Sequence, residues 1–368
     1  MNFKSEYIKW LENETRRLLK GCIIKSSEGP NLYTPDGKPQ YNALWTRDFS
    51  YMVENAYYFI PEPEIKNNIE YIIRGMRKDG VTPDRVYADG TPVYIAGPSD
   101  KPMGEPNIDN AQFLVNLVYD YVKNSNDIDF FRNNKNIIDL AMDYIPLSND
   151  GLVYNDGNKP HSTYGFIDTV VITGELLFCS LLYWLASFRL MELADKIKDG
   201  KLCSKYEKRK KDIEKAIFNL YDEKKGVFYS SNGINKKIDV WGNAFAIYIN
   251  FPLGDKEEKI IDFLIRNYED YIYCGQIRHL LKGEYWDELF CEVPKERYQN
   301  GAYWGTASGW IIYTIYKKDK NLANKIFDDF IEYSQKEGLY ECVNNDYKQL
   351  PDYVATATNV YGAINKVI

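Results

Sequence analysis

Apolar residues recur at helical spacing along nearly the whole chain. Over residues 5–20, Tyr7, Ile8, Leu11, Thr15, Leu18 and Leu19 fall on one side of a 3.6-residue period. The same pattern predicts helices over 47–60, 63–78, 109–124, 128–144, 168–195, 204–220, 240–250, 256–270, 301–316, 320–336 and 354–366. Strand signals are short and local, as at 227–230. Long connections rich in Gly, Pro, Asp and Tyr run over 80–107, 145–167, 221–238 and 274–300. Connections beyond about 15 residues are uncommon in compact domains and usually carry function. No Ser/Gly linker or shift of composition divides the chain, so it reads as a single domain over residues 1–368. The expected fold is all-α: an (α/α)6 barrel, a six-hairpin toroid with long loops forming a pocket at one end. An α-solenoid competes, but no fixed-period self-similarity is visible.

Composition sharpens this picture at one point. Tyrosine supplies 32 of the 368 residues, and with 17 Phe and 7 Trp the aromatic share reaches 15%. Hydrophobic residues at 45% and charged residues at 27% exclude a disordered or low-complexity chain. A net charge of −7, with Lys and Arg spread evenly, argues against a nucleic-acid or anionic membrane surface. The six cysteines form no CxxC pair and read as free thiols. The amphipathic N-terminus lacks the apolar stretch of a signal peptide, and the longest apolar run, 176–188, is too short to span a bilayer. A cytoplasmic location is the expectation. The two histidines, His161 and His279, weaken a His-based metal site, and no GxSxG, GxGxxG or Walker A motif occurs. No cofactor or metal is expected, and the oligomeric state stays open.

Five segments combine carboxylates or amides with aromatic residues. In YNALWTRDFSYMVE (41–54), Trp45, Arg47 and Asp48 open a helix. The Asp either caps that helix or, with the Arg, grips neighbouring sugar hydroxyls. In MGEPNIDNAQFL (103–114), Glu105, Asp109, Asn110 and Gln112 cluster at a helix start, with capping again the alternative. In HSTYGFIDTVVITGELLF (161–178), Asp168 follows an aromatic turn and precedes an apolar stretch. It either caps a helix or is a carboxyl raised in pKa by apolar walls, as a general acid requires. In RYQNGAYWGTASGW (297–310), Gln299, Asn300, Tyr303 and Trp304 make a polar-aromatic turn. In GLYECVNNDYKQLPDYVATATNVYGAI (338–364), Glu341 sits beside Tyr340 before the last helix. Aromatic faces suit the C–H face of a pyranose, although most tyrosines, such as Tyr57, Tyr58, Tyr119 and Tyr183, read as packing residues.

At these segments the chain resembles the six-hairpin glycosidases, most closely the glucoamylase-like branch. The motif Tyr41-x-x-x-Trp45-Thr46-Arg47-Asp48 is similar to the one lining the non-reducing-end subsite of that family. The resemblance implies that Tyr41, Trp45, Arg47 and Asp48 bind sugar hydroxyls. It also implies that the turn Tyr164 to Asp168 carries the general acid and that the segment around Glu341 carries the general base. Glucoamylases use Glu as the acid where this chain has Asp168.

The expected activity is therefore that of an inverting, exo-acting glycoside hydrolase on a gluco-configured small oligosaccharide. Asp168 and Glu341 are the expected catalytic pair. Tyr41, Trp45, Arg47, Asp48, Glu105, Asp109, Gln112, Tyr164, Asn300, Tyr303 and Trp304 are the expected substrate-binding residues. The alternatives are an unsaturated glucuronyl hydrolase, a lyase or a sugar epimerase on the same barrel, and a non-catalytic carbohydrate-binding protein. The Asp328-Asp329-x-x-Glu332 run reads as a solvated helix face.

Overall fold

The computed structural model describes residues 3–98 and 100–368. Among them are twelve α-helices: α1 (Ser5–Gly21), α2 (Thr46–Ala56), α3 (Glu62–Arg74), α4 (Asn110–Ser125), α5 (Ile128–Tyr144), α6 (Leu177–Lys196), α7 (Gly200–Ala216), α8 (Val240–Tyr248), α9 (Lys256–Arg266), α10 (Ser308–Tyr316), α11 (Lys320–Glu337) and α12 (Val354–Val367).

The helices sort into two kinds by how much of their circumference is apolar. All of α8 (VWGNAFAIY) is buried, and so is nearly all of α10 (SGWIIYTIY). By contrast α1 buries only Leu11, Thr15, Leu18 and Leu19, and α7 only Leu202, Tyr206, Ile213 and Ala216. A helix apolar on all sides has neighbours on all sides; one with a single stripe faces water elsewhere. The packing follows this division. Helix α2 packs on α4, α4 on α6, α6 on α8, α8 on α10, α10 on α12, and α12 returns to α2. The striped helices lie against this closed cycle: α1 on α12, α5 on α4, α7 on α6, α9 on α8 and α11 on α10. Helix α6 is long and apolar enough to cross a membrane, yet 78% of its most apolar window is buried, between α4, α7 and α8.

Some polar groups inside the cycle are fully bonded, while others, such as the Gln112 amide, have no partner. The Asn243 side chain donates to the carbonyls of Phe228 and Asp239 and accepts from the Phe228 N–H. At the centre Trp310 touches the rings of Tyr51, Phe178, Trp241, Phe245 and Tyr248.

Two helices begin later than their periodicity predicts, and small sheets break an all-α description. Helix α6 starts at Leu177 rather than 168, because Gly165–Ile167 forms a 3-10 turn that ends at Asp168. Helix α10 starts at Ser308 rather than 301, because Tyr303–Trp304 is a strand. That strand belongs to a five-stranded antiparallel sheet with Ile272–Tyr273, Gln276–Ile277, Tyr340–Asn344 and Tyr347–Pro351. In it Trp304 pairs with Cys342, which brings the Glu341 strand beside the turn preceding α10. A second sheet joins Ala43–Trp45, Arg85–Tyr87 and Pro92–Val93.

Removal of the central indole leaves a void that the surrounding rings cannot fill. Trp310→Ala is expected to cost about 3–5 kcal/mol of stability. Tyr58→Ala, at a ring 85% exposed, is expected to stay within about 0.5 kcal/mol. Urea midpoints of the two variants against the parent check both values.

Candidate active site

A cavity of about 480 Å³ stands at the N-terminal ends of α2 and α12, within the size range of small-molecule sites. Its wall includes Gln40, Tyr41, Trp45, Arg47, Asp48, Arg85, Tyr87, Met103, Phe166, Asp168, Tyr298, Glu341 and Tyr353. The segments around 41–48, 161–169, 297–299 and 341 thus meet, although they lie far apart in sequence.

The aspartates at these helix starts are not caps. True capping in this fold is done by Asp127, Asp199, Asp239 and Asp319, whose side chains accept the N–H three residues on. Asp48 lies inside the first turn of α2, and Asp109 precedes α4 without capping it. Asp168 ends a 3-10 turn well before α6. Their carboxyls are directed elsewhere.

Arg47 is buried among carboxylates. Its Nε donates to Asp109 Oδ2 at 2.8 Å and its Nη2 to Asp84 Oδ1 at 3.0 Å. Asp109 Oδ2 also accepts the backbone N–H of Gly165 at 3.0 Å, and Arg85 donates to Asp84 Oδ2 at 2.8 Å. Burial works against the charge of Arg47, but Asp109 and Asp84 outweigh it and hold the guanidinium ionised. Gly165 lies against the guanidinium so closely that a Cβ there would stand 1.8 Å from Cζ. Only glycine admits this approach. The Arg85 guanidinium in turn lies 4.7 Å from the Trp45 ring centroid.

Asp168 faces the cavity with one oxygen held. Its Oδ1 accepts from Gln299 Nε2 at 2.8 Å. Burial pushes the carboxyl up to about 7, against the opposing pull of the Gln299 hydrogen bond and the Arg47 charge. Glu341 is arranged in a parallel way. Its Oε1 accepts from the Tyr41 hydroxyl at 2.8 Å, and its Oε2 is buried without a partner. Burial, and then the charges of Asp48 and Asp168, raise this carboxyl well above its ordinary value, with the Tyr41 hydrogen bond opposing. Asp48 Oδ1 accepts from the Tyr353 hydroxyl at 2.6 Å, and burial pushes it up to about 6. Trp45 Nε1 is a buried donor without a partner on the same wall. An unpartnered donor and an unpartnered acceptor on two residues of one cavity wall suit a ligand that presents hydroxyl groups.

The other expected binding residues lie off this wall. Glu105 is exposed. Asp109 is spent on Arg47. Gln112 is buried in α4, with neither amide atom bonded. The Tyr164 ring is packed between Phe113 and Phe178, its hydroxyl on that of Tyr51. Asn300 accepts from the Trp286 N–H and donates to the Val293 carbonyl. Tyr303 packs on Tyr273, and Trp304 packs on Phe166 and donates to the Tyr298 carbonyl. These residues brace the segments that carry the wall. Arg85, Phe166, Tyr298 and Tyr353 were not singled out as binding residues, and neither was Gln299, which holds Asp168. Tyr353 carried a signal, since it precedes α12 as Trp45 precedes α2.

No protein-family model and no curated protein matches the chain. Solved structures share its fold. A rhamnosidase from Klebsiella oxytoca with rhamnose bound superposes with a TM-score of 0.69 at 13% identity, over 99% of this chain and 65% of that one. A GH78 family rhamnosidase of a Bacillus species gives 0.66 at 11% identity, over 98% and 35%. An uncharacterized conserved protein from Thermus thermophilus gives 0.66 at 12% identity, over 96% and 99%. The chain thus spans about two thirds and one third of the two rhamnosidases. At such identity the likeness is one of fold, and it lends no support to a specifically glucoamylase-like relative.

Asp168 has a stability consequence with a definite sign. Its folded value of about 7 lies above the ordinary 3.8, so the folded chain keeps a proton that the unfolded chain releases between these two pH values. Stability from this group is complete below about pH 4 and is lost as pH rises through 7. Asp168→Asn keeps an acceptor for Gln299 without the charge. It is expected to melt several degrees above the parent at pH 8, with the gap closing toward pH 4, as followed by thermal unfolding across pH.

Proposed function

We propose that the chain is a glycoside hydrolase built on an (α/α)6 toroid. It releases a terminal sugar from a small oligosaccharide with inversion, using Asp168 as general acid and Glu341 as general base. The observation that carries this reading is the matched pair of carboxyls in one cavity. Each has one oxygen held by a neutral donor, Gln299 or Tyr41, and the other free. Inversion needs one protonated and one ionised carboxyl, about 6.5–9.5 Å apart, on opposite sides of the anomeric carbon. Asp168, raised to about 7, holds its proton near neutrality and passes it to the glycosidic oxygen as the C–O bond breaks. Glu341 acts in its ionised form, which the Tyr41 hydrogen bond favours against burial, and takes a proton from the attacking water. The closed cycle of α2, α4, α6, α8, α10 and α12 supports the toroid.

The ligand is proposed to be uncharged. Arg47 and Arg85 are already paired with Asp84 and Asp109, while Asp48, Asp168 and Glu341 face the same cavity. This arrangement repels a uronate carboxylate and disfavours an unsaturated glucuronyl hydrolase. A histidine-based epimerase fares no better. His279 is stacked on Trp241, and burial lowers it to about 3; His161 is bonded to the Pro106 carbonyl, and neither lines the cavity. The motif resemblance favours a gluco-configured sugar. The two rhamnosidase neighbours favour a rhamnoside as the second reading.

A panel of aryl gluco- and rhamnosides tests the sugar, and NMR of the first-formed anomer tests inversion. With the sugar in hand, Asp168→Ala is expected to lose at least about 100-fold in kcat on a poor leaving group and far less on dinitrophenyl. Glu341→Ala is expected to lose both alike. The reverse pattern would exchange the two roles, and full activity in either variant would remove the assignment.

A further inference from the structure

We propose that Gln299 is a positioning residue that fixes which oxygen of Asp168 carries the acidic proton and directs that proton into the cavity. This rests on the reading of Asp168 as general acid.

The orientation of the Gln299 amide is forced. Its Oε1 accepts from the Thr169 backbone N–H at 2.8 Å and from the Thr169 hydroxyl at 2.6 Å. A backbone N–H cannot accept, so a flipped amide would set donor against donor. Nε2 therefore faces Asp168 Oδ1 at 2.8 Å, with the Gly165 carbonyl at 3.4 Å. An amide N–H only donates, so Oδ1 is an acceptor in both protonation states. In the neutral acid the proton sits on Oδ2, which has no protein partner among the described residues and belongs to a side chain on the cavity wall. After transfer to the glycosidic oxygen, the carboxylate left behind keeps the same donor, and a donor bonds an anion more strongly than a neutral acid.

The turn that carries Gln299 is built to hold this arrangement. Glu296 and Tyr298 have φ of +63° and +40°, and Gly301 has φ of +124°. For the two non-glycine residues this backbone is strained, and it persists only where surrounding contacts enforce it. Here Trp286 Nε1 donates to the Gln299 carbonyl at 3.1 Å and Trp304 Nε1 to the Tyr298 carbonyl at 3.3 Å. Glu296 is held by Arg278, Tyr285 and Asn344. The Tyr298 hydroxyl lies 3.4 Å from that of Tyr41, the donor to Glu341. One braced turn thus contacts Asp168 directly and Glu341 through a phenol.

The test uses two aryl glycosides of the sugar that the protein hydrolyses, one with a phenyl and one with a dinitrophenyl leaving group. Gln299→Met matches the side chain in length and lacks the donor. It is expected to lower kcat roughly tenfold or more on the phenyl substrate and under about threefold on the dinitrophenyl substrate. KM should be unchanged, and the basic limb of the pH profile should move upward. Gln299→Glu keeps an acceptor for Thr169 and sets an anion beside Oδ1. It is expected to move the limb further in the same direction, and it serves if the Met variant does not fold. Equal losses on both substrates, or a basic limb that stays in place or falls, would overturn the proposal. Asp168→Ala measured in parallel separates the two levels. If it spares the dinitrophenyl substrate while Gln299→Met matches the parent, positioning alone fails. If it loses both substrates alike, the acid assignment fails and the proposal with it.

Discussion

A guanidinium cannot be buried alone, and the wall of this cavity is organised around that constraint. An isolated charge out of water costs many kcal/mol, so Arg47 requires anions at fixed positions, and Asp109 and Asp84 supply them. Each anion then binds something more: Asp109 the N–H of Gly165, Asp84 the side chains of Arg85 and Asn107. The first turn of α2, the start of α4, the strand at Arg85 and the turn leading to Asp168 are thereby tied to one planar group. Gly165 completes the arrangement by leaving room for that plane.

This cluster also sets the chemistry of its neighbours by being electrically complete. Arg47 and Arg85 are matched by Asp84 and Asp109, so no cation is left to pair with Asp48, Asp168 or Glu341. Each of these three is hydrogen-bonded only by a neutral donor, respectively Tyr353, Gln299 and Tyr41. Buried carboxyls in that condition retain protons at pH values where exposed ones have lost them. Burial raises Asp48, Asp168 and Glu341, and with Arg47 and Arg85 already matched by carboxylates, the pull of Arg47 offsets that rise at Asp48 and Asp168 only in part.

The helical outline was legible because burial imposes a period on the sequence, and the difference between all-apolar α8 or α10 and striped α1 or α7 separates two kinds of position. Trp45, Arg47, Asp48, Asp168 and Glu341 were singled out by residue type, aromatic setting and a motif resemblance, and all five line one cavity, a meeting that spacing along the chain cannot show. What a given side chain does within a segment was not legible. Asp127, Asp199, Asp239 and Asp319 cap helices while Asp48, Asp109 and Asp168 do not, although all seven fall near predicted helix starts. The difference lies in place and backbone: Asp48 is inside the first turn of α2, Asp168 well before α6, and Asp109 has a helical ψ of −21° where the four caps have ψ between 69° and 98°. Tyr164 and Phe166 are two residues apart, yet one is core and the other wall. Gln299 and Asn300 are adjacent, yet one holds Asp168 and the other braces a loop. Strands of two residues, such as Tyr303–Trp304, are too short to show a period, and Tyr340–Asn344, which carries Glu341, is buried continuously from Glu341 to Val343 rather than in alternation.

The loop from 85 to 103 contributes Arg85, Tyr87, Gly97, Pro98 and Met103 to the cavity, and its described residues make no hydrogen bond to Asp168 or Glu341. The parts that hold the two carboxyls come from other segments: the turn at 296–301, Tyr41, and the strand Tyr340–Asn344. The molecule therefore separates what it does from what it does it to. Substitutions along 87–103 can reshape the chamber while the two carboxyls, and the Arg47 cluster that includes Arg85, stay in register.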